Sequence, residues 1–495
     1  MGGTLVSRAS GLLREVLLIA LFPVRASDAF RLAWTVPNLF RELLAEGALT
    51  NAFIPIYQRL RGADRRAFAG AMLSVLALAN ALLLALALIG APWIVELLLA
   101  RDANVDRDLA VQLVRLTFPV LFAISLSALA MGVLNAEERF FAPAWAPVLL
   151  NVVAILAMLA FPGEAEALAI GVVLGGVAQA LVQWPALARA GLMPLLGRFW
   201  HASLPLALTL MAPFAFTTGA RQMLNVVAQR IVSNDALFPA GAVTAYALAT
   251  MLFSLVLGLF AISPAMAFYA RLGNLAAEGA STFGATLEQG ARFILLLTIP
   301  AGAATYAFAE PAVRTVFELL QPAQGQDVAI ALAVVALAPL GVALPAAGLV
   351  NYLLRPFFVR QRVVAPVAVS VAFTLLTALL FVLLAPRFGI AGVSWATACA
   401  MAAQALLLLL WLRRAEGLDL RAVTAQLLRV GLAALLAVAP ARWAADALIS
   451  LWAPSGWLAS FGTVALGGAV TLVLFAVVAY ALGVPEVRGW TRRRG

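Results

Sequence analysis

Residues 7–42 read "SRASGLLREVLLIALFPVRASDAFRLAWTVPNLFRE": two apolar stretches meeting at Pro23, each interrupted by charge. Arg8, Arg14 and Glu15 interrupt the first, and Asp28, Arg31, Arg41 and Glu42 the second. Each is of the length that crosses a bilayer, about 20 residues. A guanidinium facing lipid at mid-bilayer costs from ~3 to more than ~10 kcal/mol. These charges therefore belong on helix faces turned toward protein or a water-filled cavity.

The rest of the chain supports crossing. Of 495 residues, 64% are hydrophobic and 11% charged, with mean hydropathy +1.01, against roughly 45–50% and 25% in soluble domains. Runs of alternating polarity are missing, so a β-barrel is excluded and helices must satisfy the backbone. A signal peptide has an unbroken apolar core, so the charged first segment is expected to be retained. The fold class expected is an all-α polytopic membrane protein.

One cysteine, Cys399, and one histidine, His201, offer neither an internal disulfide nor a metal cluster. No metal or cofactor is expected. All 33 basic residues are arginine, and the net charge is +10. Topology accounts for that excess without nucleic acid as a partner.

Apolar stretches near 4–22, 28–57, 68–99, 109–134, 142–161, 167–188, 204–232, 241–270, 284–309, 329–354, 364–385, 390–412, 422–448 and 458–483 predict about fourteen spans. Arginines concentrate in the even-numbered connections and the tail "VRGWTRRRG", which places both termini in the cytoplasm. An internal echo recurs at an offset of roughly 220 to 225 residues. Pro119 matches Pro339, Pro143 matches Pro366, and "AQAL" at 178–181 returns at 403–406. The organisation read from this is an N-lobe over 1–191 (spans 1–6), a C-lobe over 192–417 (spans 7–12), and two further spans with a basic tail over 418–495. Parallel six-span repeats bind substrate between halves and alternate access by rocking.

Helical spacing sorts the polar residues. Ser7, Gly11 and Arg14 fall on one stripe, with Arg8 and Glu15 beside it; Asp28, Arg31, Thr35, Asn38 and Glu42 form another, flanked by Arg41. Two readings follow: a cationic cavity that binds phosphate oxygens through planar guanidinium forks, or structural ion pairs such as Arg14 with Glu15 and Arg41 with Glu42. Neighbours on a helix project about 100° apart, so such pairs are expected to be poor, and the cavity is preferred. Pro37 is expected to bend the second span. Arg221 and Gln222 are candidates to continue the cationic lining in the seventh span, Glu46 and Asn51 to hold freed backbone or gate a mouth. Arg115 and Arg292, at span starts, are read as snorkelling.

The segments "SRASGLLRE", "SDAF", "VPNLFRELLAEGALTNAFIPIY" and "RPFFVRQRVVAP" resemble the MurJ/MviN family of lipid II flippases, within the multidrug/oligosaccharidyl-lipid/polysaccharide exporter superfamily. The resemblance extends over the whole chain. It implies fourteen spans in two six-helix lobes plus two more. It also implies flipping of undecaprenyl-pyrophosphate-linked peptidoglycan precursor across the bacterial cytoplasmic membrane. By motif position Arg8, Arg14 and Arg41 correspond to the family's cavity arginines, and Ser7, Glu15, Asp28 and Glu46 to its other polar positions. The last two helices of the family border a groove for the polyprenyl tail. Three departures stand out: Thr35 replaces a basic residue common before the Pro-Asn motif; the eighth span lacks the second-lobe arginine, for which Arg221 is a candidate replacement; and Ala228 and Gln229 occupy the place of a sodium-binding aspartate.

The expectation is a flippase, not an enzyme, working by alternating access. Arg8, Arg14 and Arg41 clamp the pyrophosphate; Ser7, Glu15, Asp28, Asn38, Glu46 and Arg221 complete the substrate site. Expected partners are the lipid-linked anionic substrate and membrane lipids, with cell-wall synthesis machinery a candidate, and the chain is expected to be a monomer. The alternatives are export of another polyprenyl-linked glycan or small molecule by the same fold, or a non-transporting membrane scaffold.

Overall fold

The computed structural model describes residues 2–42, 49–277, 282–360, 364–452 and 456–492. In chain order the helices are α1 (Gly2–Leu21), α2 (Val24–Arg41), α3 (Leu49–Arg59), α4 (Ala63–Leu98), α5 (Arg107–Thr117), α6 (Val120–Ala136), α7 (Phe141–Ala160), α8 (Ala165–Arg189), α9 (Leu204–Val232) and α10 (Ala242–Leu257). A π-turn at Gly258–Ile262 leads into α11 (Ser263–Ala277), α12 (Phe283–Ala307), α13 (Ala309–Phe317), α14 (Gln326–Leu353), α15 (Arg355–Val359), α16 (Val364–Glu416), α17 (Leu420–Trp452), α18 (Trp457–Ala481) and α19 (Pro485–Arg492). Among the described residues no strand forms.

Among the described residues, ten stretches are long and apolar enough to cross a membrane by length and composition. One of them runs through α16 and contains two of the expected crossings in line. Gly389 parts them: its φ of 59° is left-handed, which a glycine adopts without the clash of a Cβ. The other expected spans outside the ten are α1, α2 with α3, and α9. α1 carries Arg8, Arg14 and Glu15, and α2 carries Arg25, Asp28, Arg31 and Arg41, so charge lowers their apolarity.

The chain divides into two compact units. Unit 1 comprises Met1–Val243 and Leu320–Asp327; unit 2 comprises Thr244–Leu319 and Val328–Gly495. α9, which the repeat puts at the head of the second lobe, thus packs with unit 1. The bonds explain this: Arg230 Nη1 donates to the carbonyls of Glu96 and Leu97 (3.0 and 2.9 Å), and Asn104 Nδ2 to those of Val232, Phe238 and Pro239. A repeat follows sequence descent, whereas a compact unit follows where polar groups find partners.

In unit 1 the core gathers around Phe53, Tyr57, Phe68 and Met72, all buried, with the Phe53 and Phe68 rings stacked at 5.1 Å. In unit 2 it gathers around Tyr352, Leu408 and Val430. The Tyr352 hydroxyl donates to the Leu287 carbonyl at 3.2 Å. It lies where a Cβ on Gly290 would stand, so only glycine lets α12 and α14 approach so closely.

Candidate functional site

Five helices of unit 1 enclose a cavity of about 390 Å³. α1 contributes Ser7, Gly11 and Arg14, the predicted stripe; α2 contributes Trp34, Asn38 and Arg41. The apolar wall comes from Ile124 and Met131 on α6 and Pro147 and Leu150 on α7, and two amides, Asn151 on α7 and Gln179 on α8, complete it.

Each arginine in this wall is anchored by an asparagine. Arg14 donates through Nη1 to Asn151 Oδ1 (3.1 Å) and through Nη2 to Glu15 Oε1 (3.0 Å). Arg41 donates through Nε and Nη2 to Asn38 Oδ1, at 3.0 and 2.9 Å. Asn38 Nδ2 donates in turn to Glu42 Oε1 (3.1 Å), whose other oxygen accepts from Gln222 Nε2. Asn151 is buried, and its Nδ2 donates to the Ser7 carbonyl and Ser10 Oγ, at 3.2 and 3.1 Å. Gly11 lies against that amide, and a Cβ there would meet Nδ2 at 3.5 Å, an ordinary contact.

The Arg14–Glu15 pair corrects the expectation drawn from projection angles. The guanidinium reaches across the helix surface because its stem is long, and Glu15 stays 8% exposed beneath it. Arg31, from α2, closes a triad by donating to Glu15 Oε2 at 2.7 Å. Two arginines share one carboxylate, so the cluster keeps an excess positive charge on the cavity side. Cavity lining and ion pairing are therefore both present at Arg14.

The remaining predicted residues separate. Arg8 is exposed and stands outside the cavity wall. Asp28 is 1% exposed, and its Oδ2 accepts from the Gly241 amide at 2.6 Å, so it pins the turn before α10 instead of facing the cavity. Glu46 lies outside the described residues, as do the side chains of Arg221 and Asn51. Gln222, also named as lining, is 3% exposed and bonded to Glu42. Arg292, read as snorkelling, is instead paired: with Glu486 at 2.8 Å and Glu288 at 3.3 Å. Glu288 is one helical turn away on α12, whereas Glu486 comes from a segment distant in sequence, which a span-by-span reading does not connect.

Sequence reasoning missed Asn151, Gln179, Trp34 and the role of Arg31 as a second donor to Glu15. Asn151 carries a signal that was available: a lone amide in the apolar run "APVLLNVVAIL" needs a partner within the protein.

Unit 2 holds a separate, apolar cavity of about 310 Å³ bounded by Phe260 in the π-turn, Leu296, Pro300 and Ala304 on α12, and Leu472 and Phe475 on α18. It has the character of a hydrocarbon site.

Comparison with known proteins extends over nearly the whole chain. The family model described as Lipid II flippase MurJ matches residues 19–476. The Lipid II flippase MurJ of Burkholderia cenocepacia is 32% identical over 431 residues, 83% of this chain and 82% of that one. The Probable lipid II flippase MurJ of Haemophilus influenzae is 28% identical over 510 residues, covering 96% and 98%. Among solved structures, "Lipid II flippase MurJ, inward closed conformation" superposes with TM-score 0.79 at 21% identity, covering 97% of this chain and 98% of that one. An inward-facing multidrug resistance MATE family transporter of the MOP superfamily gives TM-score 0.65 at 18% identity, covering 83% and 94%. These last two likenesses are of fold alone.

Proposed function

The chain belongs to the lipid II flippase MurJ family, and from that premise we propose that it moves lipid II across the bacterial cytoplasmic membrane by alternating access, with both termini cytoplasmic. The observation that carries the reading is Arg14 and Arg41 on one cavity wall, two permanent cations from neighbouring helices, each anchored by an asparagine. Permanent charge and a planar fork suit a diphosphate, and Asn151 and Asn38 hold the two forks at fixed positions. Glu15 orients Arg14 and, because Arg31 shares it, leaves the site cationic. A ligand shifts an access equilibrium only through contacts that differ between its states. A diphosphate bridging both arginines is the contact that would favour the loaded, occluded form. The apolar cavity of unit 2 suits the polyprenyl tail.

Arg14→Ala and Arg41→Ala should each abolish the appearance of lipid II in the outer leaflet, with membrane abundance unchanged. Arg8→Ala should reduce it less, because Arg8 stands outside the wall. Undiminished flipping with all three arginines replaced would reject the reading and favour the scaffold. Normal lipid II exposure together with loss of another polyprenyl-linked glycan would move the substrate to that alternative.

A further inference from the structure

A second polar cavity, of about 530 Å³, opens in unit 1 at the ends of α4 and α9, lined by Glu96, Leu99, Ala100, Arg101, Arg107 and Arg230. Because α4 starts beside Arg65 and Arg66 and runs 36 residues, this cavity lies at the opposite end of that helix from the basic loop. The clamp of Arg14 and Arg41 makes no use of it.

Part of its charge has a structural explanation. Arg230 Nη1 docks on the Glu96 and Leu97 carbonyls, and Arg107 Nη2 on those of Ala100 (2.8 Å) and Arg101. Carbonyls at a helix C-terminus lack intrahelical donors and carry partial negative charge. These bonds occupy one nitrogen of each fork. Arg101 is exposed and has no side-chain partner among the described residues. Three guanidinia thus face one carboxylate, Glu96.

The loops that carry them are fastened together. The Ala100 amide donates to Ser233 Oγ (3.1 Å), the Asn104 amide to the Ser233 carbonyl (2.9 Å), and the Asp235 amide to the Asp102 carbonyl (2.8 Å). Ordering cost is therefore already met before a ligand arrives.

We propose that this cavity is a binding site for a phosphate or diphosphate group presented at that membrane face. Planar donor pairs anchored at one nitrogen, reachable from solvent and in excess over acid, are what phosphate oxygens require. Two sources share this chemistry: the diphosphate of the translocated polyprenyl lipid as it leaves, and the headgroup of a membrane phospholipid. The first source rests on the transport reading; the site itself does not.

The test uses the full chain carrying Arg14→Gln and Arg41→Gln, which removes the other clamp. Calorimetric titration with inorganic pyrophosphate at low salt is expected to retain a saturable site. Adding Arg101→Gln should weaken it about tenfold, the loss of one charge-assisted pair, and Arg101→Gln with Arg230→Gln should abolish it. Arg101 makes no structural side-chain bond, so its variant should unfold at an unchanged temperature. No binding in the starting variant, or binding indifferent to Arg101, overturns the proposal. Farnesyl diphosphate and dihexanoylphosphatidylglycerol then compete for the site. Tighter farnesyl diphosphate supports the departing substrate, tighter phosphatidylglycerol supports a phospholipid, and displacement by neither overturns the proposal. Since binding is read in a chain whose flipping is disabled, the result stands apart from the outcome of the transport experiment.

Discussion

The pairs α1/α2 and α17/α18 solve the same problem in opposite ways. On α18 the buried positions are Thr463, Gly467, Thr471, Phe475 and Ala479, one every fourth residue, and on α17 the buried stripe includes Ala433, Ala434, Ala437, Ala441 and Ala445. Their large residues point outward: Leu428, Leu435 and Leu472 are each about 70% exposed. Lipid is as apolar as leucine, so leucines gain nothing by turning inward, and small residues bring helices into close contact. α1 and α2 instead bury Glu15, Ser27 and Asp28. Every one of those is bonded: Glu15 to two arginines, Asp28 to the Gly241 amide, Ser27 Oγ to the Val24 carbonyl and to Gln326 Nε2. A span tolerates polarity to the extent that the fold supplies partners, and the cavity arginines are what that tolerance supports.

The largest effect expected is at the triad. Glu15→Ala leaves Arg14 and Arg31 facing each other without their shared carboxylate. Removing one partner of a buried charge pair costs about 3–5 kcal/mol, so the thermal midpoint and membrane abundance should fall together. Combining it with Arg31→Leu should recover most of the loss. A Glu15→Ala chain as stable as wild type would mean that the triad does not distinguish α1/α2.

The buried stripe of α18 is tested where it meets Phe308, at the junction of α12 and α13. A Cβ on Gly467 would overlap the Phe308 ring. Gly467→Ala should lower stability by about 1–3 kcal/mol, the usual cost of overpacking, whereas Leu435→Ala on the outward face should leave the midpoint nearly unchanged. Equal effects at both positions would remove the proposed asymmetry between buried stripe and lipid face.

The smallest effect lies at the outer corner of α2. Asp106 caps α5 by accepting from the Leu109 amide at 3.0 Å and pairs with Arg25. The Leu109 bond first, and then Arg25, hold its carboxyl below the usual aspartate range against the opposing effect of burial. A carboxyl with a lowered folded value stabilises above its unfolded value, and that contribution disappears as pH falls through the folded one. Asp106→Asn keeps a capping oxygen and removes the charge. The wild-type advantage over this variant should be modest near neutrality and shrink steadily as pH falls into the acidic range. A constant difference would assign the whole effect to the cap.

Hydropathy and helical spacing are local properties, so the sequence by itself determines an all-helical membrane chain, the division of α16 into two crossings, and the Ser7, Gly11, Arg14 stripe. The family motifs sharpened that reading at the first two spans. Distances between charges on different helices depend on how the helices pack, and no one-dimensional pattern encodes them. Packing brought Arg31 to Glu15 and Asn151 to Arg14, left Arg8 outside the cavity wall, turned Asp28 to Gly241, and drew α9 into unit 1 through bonds its place in the repeat does not reveal.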